Sequence, residues 1–513
     1  MKKFYSVLIA LIFGCSLNAQ HDHAQCGMTA MDQQTLLEFV EEFNNNKHLH
    51  NSTDRADKLN VPIKFHVVRR SNGTGGVNPP TLVYDQFERM RKDFIAADMN
   101  LYLYENSFNY INNTAIYENP GSASNTVQNA KDKDALNIFI TENANTSSGL
   151  GTVLGFYDPN RDYIIIRITD VAAATSSLSH ELGHMFSLPH TFFGWESEPY
   201  NEASHGNPCM LTMAPGSGVP VELVDGSNCL SAADRICDTP PDYNFGFTSN
   251  GCTYNQTILD RNSDLIEPMI DNYMGYFIGC DEYVFTQGQI DIMRANWALN
   301  AYNGNDRSFL RSDYVPTSDT VSHDYQILSP AMSSTTDFSN SVLLDWEDAD
   351  GAQAYQVDYN AVNTSTGQAV FESQVVTESQ LHVTTFEPGV FVNWTVKPFN
   401  ESYGGAPIRT SNFFVGTEIT STDDLNGLAS QITVGPNPVP NGSSLTVGLD
   451  LEASSDLTFN LHNVTGQLIS TRKASLSAGY DEIQISTVGA TPGLYLLEIS
   501  TGLVSTYRKI VVE

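Results

Sequence analysis

The chain of 513 residues carries 59 Asp and Glu against 26 Lys and Arg, a formal net charge of −33 at pH 7. That balance excludes a nucleic-acid binder, which needs clustered cations to displace counterions from phosphates. With 41% hydrophobic and 10% aromatic residues the chain is no disordered acidic tail, and at roughly 100–200 residues per domain its length accommodates about three domains.

At the N-terminus Lys2 and Lys3 precede an apolar run over 7–13 that is too short to span a bilayer, and Ala19 offers a small residue for cleavage. Residues 1–19 are therefore expected to be a secretory signal peptide. Cys15 ends a loose lipoprotein-like box, but Phe13 stands where such a box takes a small residue. No later segment stays apolar for about 18 residues, so no transmembrane segment is expected in the mature chain. Residues 20–58 are polar apart from one helical face, Leu36, Phe39, Val40 and Phe43, and read as a prosegment. They end in a cleavable linker around Asp54, Arg55 and Ala56. His21 and His23 flank the leader and bind metal only adventitiously.

From 59 to 305 the pattern alternates. Strands are expected over 61–68, 135–140 and 163–168, a helical face at Val83, Phe87, Met90 and Phe94, and a helix over 172–187. Such alternation indicates an α/β domain. His66 falls in the first strand and reads as a core residue. An edge strand able to pair with an extended ligand is expected near 151–156.

Beyond 306 only short strands follow, at 341–346, 355–359 and 391–398, which predicts a β-sandwich over 318–417. Leu344, Trp346, Tyr355, Val357 and Tyr359 make it similar to a fibronectin type III module. A linker rich in Ser, Thr and Asp over 418–430 leads to a last domain, 431–513. This carries Pro436, Asn437 and Pro438, strands at 445–451 and 457–461, a turn at Val464, Thr465 and Gly466, then Gly493, Leu494 and Tyr495, and a closing 508–512. That ordered set resembles the C-terminal sorting domain of type IX secretion cargo. The resemblance implies the type IX secretion machinery as a partner, passage through the periplasm, and a product that is secreted or attached to the outer surface.

Apart from Cys15 there are six cysteines: Cys26 alone, and Cys209, Cys229, Cys237, Cys252 and Cys280 in a cluster. Clustering in an exported chain points to disulfides. Five is odd, so one cysteine stays unpaired or pairs with Cys26, and the connectivity is left open.

The chemistry concentrates in His180, Glu181, Leu182, Gly183 and His184. On a helix, side chains four apart share a face, so His180 and His184 can grip one zinc ion with Glu181 beside it. Pro189 disfavours helix at Leu188, and the chain can turn there to bring His190 back to the metal. Three histidine ligands leave a fourth position open, the pattern of a catalytic rather than a structural zinc site. A downstream Glu196 or Glu198 as third ligand is the lesser alternative to His190.

His180, Glu181, His184 and His190 resemble the metzincin pattern H-E-x-x-H-x-x-G-x-x-H, with Ser187 where the family usually has glycine. Met274, in Asp271, Asn272, Tyr273, Met274, Gly275 and Tyr276, matches the methionine turn beneath the metal. Together with Cys237 to Pro240 and with Cys280 ahead of Phe285 and Thr286, the segment resembles the pappalysin family (cytophagalysins) of secreted metalloendopeptidases. The resemblance implies a twisted mixed sheet with an active-site helix. It also implies peptide-bond hydrolysis in protein or peptide substrates, with Glu181 as general base and Tyr276 supporting the zinc site and the developing oxyanion. It further implies that Cys26 in the prosegment is a latency switch whose thiolate fills the open zinc position, and that Asp234, Asp238 and Thr239 belong to a calcium-binding loop. The whole is expected to be a multidomain chain: a metzincin-like catalytic domain, then two β-sandwiches. The competing reading is a non-catalytic surface adhesin that keeps a protease-like domain; retention of Glu181 with all three histidines favours catalysis.

Overall fold

A computed structural model describes residues 26–46, 58–145, 153–172, 175–249, 251–336, 339, 341–416, 429–451, 453–464, 467–501 and 505–513. The expected signal peptide, His21, His23, the linker around Asp54 to Ala56, and Thr465 and Gly466 lie outside the described residues. The chain forms two compact units. The first holds everything to His323 together with Asp350–Ala354 and Pro398–Pro407; the second holds the rest.

In the first unit the N-terminal segment forms helix α1 (Ala30–Asn46), whose face of Leu36, Val40 and Phe43 is buried as the periodicity predicts, with Phe39 only half-buried. Strand β1 (Leu59–Arg69) runs through the middle of a sheet with β2 (Met99–Leu103), β3 (Asn109–Asn112), β4 (Leu136–Thr141), β5 (Gly155–Asp158) and β6 (Tyr163–Arg167). The order is β2, β1, β4, β6, β5, with β3 also beside β1. All pairings are parallel except that of β5 with β6. A mostly parallel sheet needs both faces covered, and β1, β4 and β6 are accordingly buried on both sides. Helix α2 (Leu82–Asp93) buries Val83, Phe87 and Met90 on the face that the sequence pattern marks, with Phe94 following at its C-cap. His66 is a core residue, stacked on Phe139 and bonded to Asn137 at 2.8 Å.

The helix expected over 172–187 is two pieces, Ile168–Ala172 and α3 (Ser177–Met185). Helix α4 (Gln287–Trp297) starts in a reciprocal capping box between Thr286 and Gln289.

The second unit is all β. One module places a five-stranded sheet against a three-stranded one containing Val342–Trp346; Trp346 meets Tyr355 (5.4 Å between ring centroids) and Trp394 (6.0 Å) across the interior. The other module packs a three-stranded sheet on a four-stranded one, with Leu445, Val447, Leu449 and Ile485 facing Phe459, Leu461, Leu497 and Ile510 in one core. Both are therefore sandwiches, built from the period-2 alternation that the sequence shows. No helix among the described residues is long and apolar enough to cross a membrane.

Candidate metal centre

Helix α3 places His180 and His184 one turn apart on one face, and it ends in a Schellman motif. Leu188 N–H donates to the Gly183 carbonyl (3.0 Å) and Ser187 N–H to the His184 carbonyl (2.8 Å). That motif needs a left-handed residue, and Ser187 supplies it with φ of 70°. A residue with a Cβ is strained there by about 1–2 kcal/mol. The reversal at Ser187 and Pro189 returns the chain so that His190 joins the other two histidines: its ring centroid lies 5.2 Å from that of His180 and 4.8 Å from that of His184.

The Nδ1 atoms of His180 and His184 each face a backbone carbonyl, which can only accept, so both carry the proton, and the Nδ1 of His190 is turned toward the Glu196 carboxyl. His180 donates to the Tyr273 carbonyl (2.6 Å), His184 to the Leu188 carbonyl (2.7 Å) and His190 to Glu196 Oε1 (3.4 Å). Every Nε2 is left with a bare lone pair. The Nε2 atoms of His180 and His184 lie 3.0 Å apart, and the buried Nε2 of His190 has no partner. Burial holds His180 down at about 4 and puts His184 and His190 well below the usual histidine range, so all three are neutral donors at neutral pH. Outward-held Nδ1 protons and inward lone pairs are the arrangement of metal-ligating imidazoles. These three rings fit a zinc ion.

Cys26 completes the set: its thiol sulfur and one nitrogen of each histidine all lie within 4.8 Å of one another. Its backbone N–H donates to Tyr276 Oη (3.0 Å), and its sulfur lies 3.6 Å from Glu181 Oε2. Next to it, Gly27 N–H donates to the Gly155 carbonyl (2.9 Å), so the N-terminal segment bonds to edge strand β5. The strand expected over 151–156 is thus Gly155–Asp158, with 151 and 152 outside the described residues. Glu181 is buried, and burial raises its carboxyl to about 8.

Met274 lies directly under α3. A Cβ on Gly183 would stand 2.6 Å from the Met274 sulfur, so the glycine inside the helix is what lets the methionine approach. Sequence reasoning gave Gly183 no role; only the neighbour from a segment far along the chain reveals it. The methionine turn is tied down by Asn272 Oδ1, which accepts from Met274 N–H (2.9 Å). Tyr276 is half-buried, with its ring 5.0 Å from His190 and 6.0 Å from His180.

Glu196 sits behind His190, on the Nδ1 side, and also accepts from Gly194 N–H (2.7 Å). It orients that histidine rather than replacing it. Glu198 instead pairs with His205.

The proposed calcium trio is not brought to one point. Asp234 is buried and accepts from Thr239 Oγ1 (2.9 Å) and Ile236 N–H (2.9 Å). Asp238 turns to the start of α4, accepting from Gly288 N–H (2.7 Å) and Thr286 Oγ1 (2.9 Å). A residue not singled out from sequence, Glu222, is buried with an unpartnered Oε2. Burial and then the charge of Asp234 raise its carboxyl, and burial raises Asp234 in turn. Among the described residues the cysteines resolve into Cys229–Cys237 and Cys252–Cys280, leaving Cys26 and buried Cys209 as thiols.

Residues 433–513 match the family model of the secretion system C-terminal sorting domain, and this last sandwich is a type IX sorting domain. Among curated proteins nothing matches the chain. Among solved structures the chain is similar to the FN1–FN3 domains of chicken CNTN1, at 12% identity and TM-score 0.16 over 39% of this chain and 68% of that one. It is also similar to fibronectin(III)-like modules of CbhA from Clostridium thermocellum, at 11% identity and TM-score 0.15 over 37% and 93%. The sorting domain implies the secretion machinery as a partner and a secreted or surface-attached product.

Proposed function

We propose that the first unit is a zinc metalloendopeptidase of the pappalysin type, made as a latent zymogen and exported by the C-terminal sorting domain. The observation that carries this reading is the convergence of three neutral histidines on one point with the carboxylate of Glu181 beside them. His180, His184 and His190 would hold zinc, which supplies Lewis acidity to polarise a scissile carbonyl and to make water nucleophilic. Glu181 is buried, where a carboxyl keeps enough basicity to take a proton from water and return it to the leaving amine. Tyr276 Oη, now accepting from Cys26, faces the same space and is the donor available to a developing oxyanion. A backbone N–H of an extended substrate would donate to the Gly155 carbonyl where Gly27 now does, along β5, and Glu196 would keep His190 turned inward.

Latency follows from the same geometry. Cys26 stands where a fourth ligand would be, and thiolate is a strong zinc ligand, so water and substrate are shut out until the prosegment leaves. The buried carboxylates of Asp234 and Glu222, which feel each other's charge, would favour a hard cation such as calcium, with Thr239 beside Asp234 and Asp238 serving the helix instead. The first sandwich is proposed as a fibronectin type III-like spacer.

The test is zinc content and casein cleavage by purified, prosegment-processed protein, beside Glu181→Ala. Zinc binding with cleavage that disappears in the variant supports the proposal. Zinc binding without cleavage supports a surface adhesin, and absence of zinc binding removes both accounts of the histidines.

A further inference from the structure

The residue that turns the chain from His184 toward His190 is a serine in a conformation that favours glycine. Something must hold it there. Ser187 is fully buried, and its Oγ accepts from Asn296 Nδ2 (2.7 Å), a residue on α4. Asn296 is in turn fixed by Arg307, whose Nη1 donates to Asn296 Oδ1 (2.5 Å). Arg307 is also fully buried. Its Nη2 donates to the Met185 carbonyl (3.0 Å), one of the last of α3, and its charge is met by Asp162, with Nε to Oδ2 at 2.9 Å and a second contact from Nη2 to Oδ1. Tyr157 Oη closes the ring of partners, 3.1 Å from Nη2 and 2.9 Å from Asp162 Oδ1.

We infer that Asn296 and Arg307 are positioning residues for the metal centre. They form a polar cap on the C-terminal end of the histidine helix and lock Ser187 left-handed, so that His184 and His190 stay converged. The guanidinium does two things at this end: it satisfies an orphan helical carbonyl, and it places positive charge at the negative pole of the helix. The amide transmits that fixed point to the serine hydroxyl. A glycine at 187 would need no such hold, because it takes the left-handed region without strain.

The inference rests on the reading of the three histidines as a zinc site, and its test reads metal affinity rather than cleavage. Zinc affinity of the full-length chain is measured by competition with a chromogenic chelator, with thermal unfolding recorded alongside. Asn296→Ala is expected to weaken zinc about tenfold or more, as loss of an outer partner does at metal sites. Ser187→Gly in the same background is expected to recover most of that loss, while Ser187→Gly alone stays near wild type. Should Asn296→Ala prove too unstable to purify, Arg307→Lys keeps the charge beside Asp162, loses the planar fork to Asn296 and Met185, and is expected to weaken zinc likewise. Unchanged zinc affinity with a lowered Tm in these variants assigns a purely structural role and overturns the inference, as does failure of Ser187→Gly to rescue. A wild type that takes up no zinc overturns the functional reading as well, whereas normal wild-type uptake with an indifferent Asn296→Ala overturns this inference alone.

Discussion

The histidine centre and the Asp234 loop are two polar clusters of the same unit, and they differ in how their side chains are aimed. At the first, every donor points inward: two imidazoles share a helical face, a third returns across a five-residue turn, and a cysteine from the N-terminal segment meets them. At the second, residues equally close in sequence diverge, Asp234 and Thr239 toward each other and Asp238 toward α4. A helix fixes the direction of each Cβ and so converts spacing into convergence. A loop with the same density of oxygens leaves direction to its neighbours.

If that contrast is sound, the two clusters fail in different ways when cut. Glu181→Ala should lower casein cleavage by about 10²–10⁴-fold, the range lost with a general base, while zinc stoichiometry measured on the same sample stays at that of wild type. Breaking the brace behind the helix should act on folding as well as on the metal. Asp162→Ala leaves Arg307 buried without its counter-charge and should cost about 3–5 kcal/mol in denaturant unfolding.

The same pair gives a pH signature. Burial alone would raise the Asp162 carboxyl, but the Arg307 charge and hydrogen bonds outweigh it and hold it below its ordinary value of 3.8. Its contribution is therefore fully present above that ordinary value and is lost as pH falls through the lower, folded one. Unfolding of wild type against Asp162→Asn across this acid range should converge as the carboxylate is protonated; curves that stay parallel would break the assignment.

The loop makes smaller demands. Removal of calcium by a chelator should lower Tm, by an amount equivalent to about 2.7 kcal/mol if the ion had been present at 100 times its Kd, and Asp234→Asn should abolish that response. Asp238→Ala should keep the calcium response and cost only about 1 kcal/mol, the worth of a helix N-terminal partner. If Asp238→Ala instead removes the calcium response, the two acids act together and the contrast between clusters is wrong.

Most of what determines the histidine centre is legible in a short stretch of sequence. The four-residue spacing gives the shared face, Pro189 gives the break, and Met274 lies in a turn of recognisable composition. Strands β1, β4 and β6 are equally plain, because apolar runs such as Tyr163–Arg167 are bounded by polar turns, whereas β2 and β3 are not read from the sequence. What cannot be read is whatever depends on partners far along the chain. Gly183 looks like any helical glycine until Met274 is placed against it. Glu222 looks like a surface acid, yet it is buried beside Asp234. The helix expected over 172–187 is interrupted because Thr175 and Ser177 side chains bond to Asp170 and one another, a local competition that apolar periodicity does not register.

Arg307 has a practical meaning for anyone wishing to shorten the protein. Composition changes near 306, and a cut placed there would look harmless because the strand-rich modules begin soon after. It would nevertheless remove a buried cation with Asp162 left unanswered in the interior, together with Leu310, which is packed in the same core. The smallest portion able to keep the histidine centre in shape is thus set by an ion pair, and it has to run past the point where the amino-acid composition says the domain is over.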